Sequence, residues 1–285
     1  MNIWTKKSFN LHNSYGYLDK LNEIYPMLDN SERELDMFIK EDIKEAYTTK
    51  NDAKLFKLLL PLKKFPLKDS YKAYFSRTPK NEQINIIKNN PATISRICNR
   101  LYEMGWDKLV SGLEEPIETN RQIGPMFPKW IRNQYPCYDN FDKFKNSSET
   151  ISVLSASDDA LVKFVENYLN VQLPKTTSNN AKGLDLVVKI NTKVKPIYII
   201  GEAKFLTDEG GHQNAQLKDA LHLITANDFK NNNSTIDVLR IAVLDGVCWI
   251  NSKDTKMQKE IKGLNENQIA ISALLLNDFF LSLIK

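Results

Sequence analysis

The chain has 285 residues, 42% of them hydrophobic and 26% charged, with a formal net charge of +4. This composition excludes a disordered or low-complexity chain, and the length suffices for one large core or two modest ones. Cys98, Cys137 and Cys248 are far apart and odd in number, which excludes a disulfide framework or zinc knuckle and fits a reducing cytoplasm.

The first ten residues are interrupted by Lys6 and Lys7, so they lack the apolar centre of a secretion signal. Charge is uneven along the chain. Residues 1–145 carry 24 Lys and Arg against 19 Asp and Glu, an excess of five, whereas residues 146–285 carry 15 against 16. A basic first half suits a polyanionic partner, although an ordinary solvated surface accounts for five charges equally well.

Residues 29–47 and 52–60 are rich in helix formers with apolar residues at helical spacing, and Pro61, Pro66 and Pro79 punctuate the stretch. Residues up to about 135 therefore read as helical. Between residues 81 and 106 a helix breaks at Pro91. A second helix then carries Ile94, Ile97, Leu101 and Met104 on one face and Arg96, Asn99, Arg100 and Glu103 on the other. That is the outline of a helix-turn-helix, although so loose a pattern is more often a plain helical hairpin with a polar outer face. If the second helix lies on DNA, Arg96 and Arg100 are the groups to touch it. Residues 134–149 show no period, which places a boundary between an N-terminal all-helical domain, 1–145, with a DNA-recognition or DNA-gripping role, and a second domain, 146–285.

In the second domain an amphipathic helix spans residues 155–170, with Leu161, Phe164, Val165 and Tyr168 on one face. Residues 184–190 and 197–204 then alternate as two strands around a polar turn. A helix over 214–226, a strand over 236–244 and a short strand over 247–250 follow. Two helical segments finish the chain, the last of them a buried helix over 269–284 that is too short and polar to span a bilayer. Strands with helices between and around them predict an α/β (α+β) fold with a central mixed sheet flanked by helices.

The two strands carry the chemistry. In the first, Asp185 shares a face with Val187 and Lys189; in the second, Tyr198, Ile200, Glu202 and Lys204 share one. A hairpin in which Ile190 faces Ile197 puts Asp185 opposite Glu202, with Cβ atoms roughly 4.5–5.5 Å apart and the Lys204 ammonium one step along. Two carboxylates so close repel each other unless a cation intervenes. Their hard oxygens, with the Ala203 carbonyl, suit Mg²⁺. A plain cross-strand salt bridge is the competing reading.

Asp185 followed by Glu202-Ala203-Lys204 resembles the PD-(D/E)XK signature of restriction-endonuclease-like nucleases. Gly183-Leu184-Asp185 and the strand 198–204 lead into it, and the order of elements over residues 150–250 is similar. Leu184 stands where that signature usually has Pro. The tripeptide alone carries little: Asp42-Ile43-Lys44, Asp52-Ala53-Lys54, Asp228-Phe229-Lys230, Asp254-Thr255-Lys256 and Glu260-Ile261-Lys262 match it too. Only Glu202-Ala203-Lys204 ends an apolar strand with a partner Asp in register.

The resemblance implies a type II restriction endonuclease: sequence-specific, Mg²⁺-dependent hydrolysis of double-stranded DNA to 5′-phosphate ends, with Asp185, Glu202 and Lys204 catalytic and Asp185, Glu202 and Ala203 on the metal. It also implies a homodimer on symmetric sites and a cognate DNA methyltransferase as genetic partner. Asp158, at the start of the preceding helix, is an accessory metal ligand or simply an acid favoured in a helix's first turn. A loop over 205–216 is expected beside the scissile phosphate, where His212, Gln213, Asn214 and Gln216 could contact DNA. Residues 120–127, with Trp130 after them, resemble a restriction-enzyme phrase in which Arg121, Lys129 or Arg132 could serve phosphates. Two other readings stand beside this one: a repair or junction-resolving nuclease of the same superfamily, and a non-cutting helix-turn-helix regulator.

Overall fold

Strands β4 (Leu186–Ile190) and β5 (Ile197–Leu206) form where the alternating runs predict them, and they pair antiparallel with Ile190 opposite Ile197 and Leu186 opposite Gly201. The computed structural model describes residues 1–26, 34–116, 123–176, 181, 183–250 and 254–284.

Around this hairpin lies a mixed sheet of order β1-β2-β4-β5-β7-β8, with β1 (Cys137–Tyr138), β2 (Ile151–Leu154), β7 (Asp237–Gly246) and β8 (Ile269–Ile271). β5 runs parallel to β7 and β7 to β8, and β1 runs parallel to β2; β2 is antiparallel to β4. The expected α/β architecture is therefore present. A second, two-stranded sheet pairs β3 (Val171–Gln172) with β6 (Lys230–Asn231).

Helices cover both faces of the large sheet, as the near-continuous apolar runs of β5 and β7 require. On one face, Leu186, Val188, Ile199 and Ile241 pack with α2 (Tyr17–Ile24), α9 (Met126–Gln134) and α14 (Leu276–Ser282). On the other, Val187, Tyr198 and Ile200 pack with α10 (Phe141–Lys145), α11 (Asp158–Lys163, widening into a π turn at Phe164–Tyr168) and α12 (Gly211–Thr225). Helices α1 (Ile3–Leu11) and α13 (Lys256–Lys262) add Phe9, Met257 and Ile261 to that second face, around Ala242 and Leu244. Each fully buried aliphatic side chain contributes about 1.5–3 kcal/mol.

The chain divides into two units, one of Met1–Met27 with Gln122–Lys285 and the other of Leu28–Arg121. The boundary expected at residue 145 is thus displaced, for two reasons. Helix α9 buries Phe127 and Ile131 against the sheet, and β1 pairs with β2. Residues 1–27 join the same unit because α1 and α2 pack on it; Thr5 and Ser8 accept hydrogen bonds from the Ala270 and Ser272 amides at 3.3 and 2.9 Å.

The smaller unit is helical: α3 (Met37–Thr48), α4 (Asp52–Leu59), α5 (Ser70–Arg77), α6 (Lys80–Asn89), α7 (Pro91–Met104) and α8 (Trp106–Glu114). Its own core contains Ile43, Leu55, Phe56, Leu59, Ile97 and Leu101. The break at Pro91 is observed, with Pro at the first turn of α7, where its missing N–H costs nothing.

Three further expectations change. Residues 247–250 are no strand: Gly246 turns the chain at φ +93°, and Val247–Trp249 form a 3₁₀ turn held by Trp249 Nε1 donating to the Leu244 carbonyl at 2.6 Å. The apolar run from residue 269 begins as β8 before turning helical, because Ile269–Ile271 fill the sheet position beside β7. Helix α12 starts at Gly211, so His212 and Gln213 are helical rather than loop residues.

Candidate active site

The ladder of β4 and β5 ends unevenly at the start of β4. Leu186 pairs with Gly201, yet the Asp185 amide also donates to the Gly201 carbonyl at 2.9 Å. Two residues of one strand thus face one of the other, the pattern of a bulge, and Asp185 stands beside Glu202 rather than squarely opposite it. Its carboxylate takes the place of the missing strand partner: Oδ2 accepts the Ala203 amide at 2.8 Å. Because the N–H and C=O of one strand residue point the same way, the Ala203 carbonyl also faces the side where β4 has stopped.

Lys204 completes the group. Its Nζ lies 3.5 Å from Asp185 Oδ2 and 3.0 Å from Glu202 Oε1. The Glu202 side chain is 5% exposed, while those of Asp185 and Lys204 keep about a quarter of their surface open. Burial pushes the Lys204 pKa down, but the charges of Asp185 and Glu202 and the bond to Glu202 outweigh it and raise it above the ordinary value. Asp219 on α12 adds a smaller pull in the same direction, a neighbour that strand alternation does not reveal. The ammonium form is therefore the stable one at neutral pH.

The donor set fits a hard divalent cation. Two carboxylates against one ammonium leave a local excess of negative charge, and all the available ligand atoms are oxygens. Among the described residues no three His, Cys, Asp or Glu side chains gather as a metal group, so an ion here would rest on Asp185, Glu202, the Ala203 carbonyl, water and substrate. Asp158, the first residue of α11, lines a small cleft of about 40 Å³ together with Asp185 and Arg132.

The remaining expected contact residues disperse. Gln213 is buried, its amide group paired with the Thr207 amide and hydroxyl at 3.3 and 3.4 Å, so it faces away from any groove. Asn214 donates to the Glu209 and Gly210 carbonyls at 2.7 and 3.1 Å, securing the start of α12. His212 and Gln216 lie 3.1 Å apart, one turn along that helix, and both line an open groove with Lys175, Lys218 and His222. In the smaller unit Arg96 and Arg100 converge on the Asp69 carboxylate at 2.8 and 3.5 Å. Arg96 holds that carboxyl below its ordinary pKa range and stacks 5.2 Å from the Tyr71 ring. Arg121 lies outside the described residues.

No helix among the described residues is long and apolar enough to cross a membrane. The curated proteins give no match. A family model does match, over residues 2–283, and with both units of the chain inside that span the protein belongs to the Tsp45I type II restriction enzyme family, making it a site-specific deoxyribonuclease that acts on DNA.

Proposed function

We propose that Asp185, Glu202 and Lys204 are the cutting centre of this restriction endonuclease, and that it hydrolyses double-stranded DNA in a Mg²⁺-dependent reaction that leaves 5′-phosphates. The observation that carries the reading is the Lys204 ammonium set against two carboxylates from adjoining strands, 3.5 and 3.0 Å away. Asp185 and Glu202 would hold the ion with the Ala203 carbonyl. Mg²⁺, when bound, supplies a Lewis acid for the phosphoryl oxygen.

The chain's own groups do the rest. The Ala203 amide fixes the Asp185 carboxylate, so the site is oriented before substrate arrives. Lys204, kept protonated by its two neighbours, places positive charge where the pentavalent phosphorus develops negative charge, and orients the attacking water. Cutting both strands of a symmetric site calls for a two-fold homodimer, and a cytoplasmic enzyme of this kind requires a methyltransferase to protect the host's own sites. Neither the junction-resolving nor the regulator reading has an observation in its favour.

Incubating the purified protein with plasmid DNA and Mg²⁺, then sequencing the fragment ends, tests the proposal. Discrete fragments with 5′-phosphates are expected from the native protein. Asp185→Ala and Lys204→Ala should each cut at least about 10³-fold more slowly while still binding DNA in Ca²⁺, a cation of the same charge that prefers a looser oxygen shell. Near-native cutting by either variant would falsify the assignment.

A further inference from the structure

The cleft beside Asp185 contains a cation that the cutting centre does not use. Helix α9 is fixed by Phe127 and Ile131, both buried against the sheet, and its next residue, Arg132, reaches the cleft lined by Leu154, Asp158 and Asp185. Two contacts hold the guanidinium there. Nε donates to the Pro128 carbonyl one turn back at 2.8 Å, and Nη1 lies 3.4 Å from the Ser155 hydroxyl. Both contacts are solvent-exposed, and Arg132 forms no ion pair with any described acid although two acids line the same cleft. Of its five N–H donors, three remain for a ligand.

Charge and placement say what that ligand is. In the proposed centre Asp185 and Glu202 are taken up by the ion, and Lys204 is already shared between them. Arg132, which lines the same cleft as Asp185, is a further positive group for a phosphodiester arriving there. The contacts of the guanidinium are solvent-exposed, so it is open to a phosphate brought up beside Asp185. A planar fork held at its inner edge matches two non-bridging phosphate oxygens.

We propose that Arg132 is a phosphate clamp, binding the scissile phosphodiester or its immediate neighbour on the strand being cut. The inference rests on the proposed cutting centre, because it takes Asp185 to mark where that bond lies.

The test reads binding without turnover, with duplex DNA carrying the cut site in Ca²⁺ over a range of salt concentrations. Arg132→Ala should bind about 10-fold more weakly, and the slope of log affinity against log salt should fall by about one, the loss of a single phosphate contact. Arg132→Lys should restore the slope but not the full affinity. Duplexes bearing one uncharged methylphosphonate at the cut phosphate, or one position to either side, identify the contact. At one of the three the substitution should weaken the native protein and leave Arg132→Ala unaffected. An unchanged slope in Arg132→Ala, or equal losses for both proteins at all three positions, overturns the clamp. Failure of the cutting centre looks different: the native protein would bind the duplex yet release no fragments when Mg²⁺ is added.

Discussion

Glu202 is the most deeply set of the three charged groups, and a buried carboxylate is stable only with compensation close by. Lys204 provides part of it at 3.0 Å and a divalent ion would provide more. Mg²⁺ should therefore raise the melting temperature of the native protein, by an amount set by its concentration over its dissociation constant and equivalent to about 2.7 kcal/mol at 100-fold saturation. Glu202→Gln, which keeps the shape and removes the charge, should abolish that rise; a rise of native size in the variant would place the ion elsewhere. This trio was legible in the sequence because strand alternation alone assigns side chains to faces, and a two-residue period leaves little freedom over so short a hairpin. The bulge at Asp185 was not legible, since it depends on where β4 stops. Nor was the burial of Gln213. A polar residue after a strand reads as exposed until the helix that carries it is found to begin at Gly211.

At the level of elements, the turn out of β7 is closely packed against the end of β5. Gly246 sits at φ +93°, and a Cβ there would lie 2.1 Å from the Leu206 carbonyl at the end of β5. Gly246→Ala must both adopt a backbone conformation unfavourable to side chains and separate the two central strands. A loss of more than about 3 kcal/mol in urea unfolding is expected, with cutting lost in proportion to the folded fraction; a variant of native stability would show the strands can part freely. The hairpin, β7 and the helical hairpin around Pro91 were readable because each is long or sharply punctuated. β1, β3, β6 and β8 are two or three residues long, too short for any period to show. They exist only because a longer neighbour offers them a ladder, which is tertiary information.

Across the whole larger unit, the Asp245 carboxyl joins β7 to two distant segments: Tyr25 donates to it at 3.0 Å, the Ser272 hydroxyl at 2.6 Å and the Ala273 amide at 3.2 Å. Burial raises its pKa to about 7, the three donors opposing that only in part. The unfolded chain ionises this group near pH 4, so between pH 4 and 7 the folded state holds one more proton, and stability falls as pH rises through that window. The full difference of about three units corresponds to about 4 kcal/mol. Melting curves from pH 5 to 8 should decline in the native protein and flatten in Asp245→Asn; parallel curves would assign the dependence to other groups. The division of the chain was the least legible feature, because composition changes near residue 145 whereas the packing changes at residues 27 and 122. That division bears on synthesis. The helical unit is interrupted by nothing and can fold as soon as residue 121 has left the ribosome, but the sheet unit began with residues already waiting and cannot close until Asp245 and Ser272 emerge to meet Tyr25. A nascent chain therefore presents a contiguous helical body while the sheet unit around it is still in pieces.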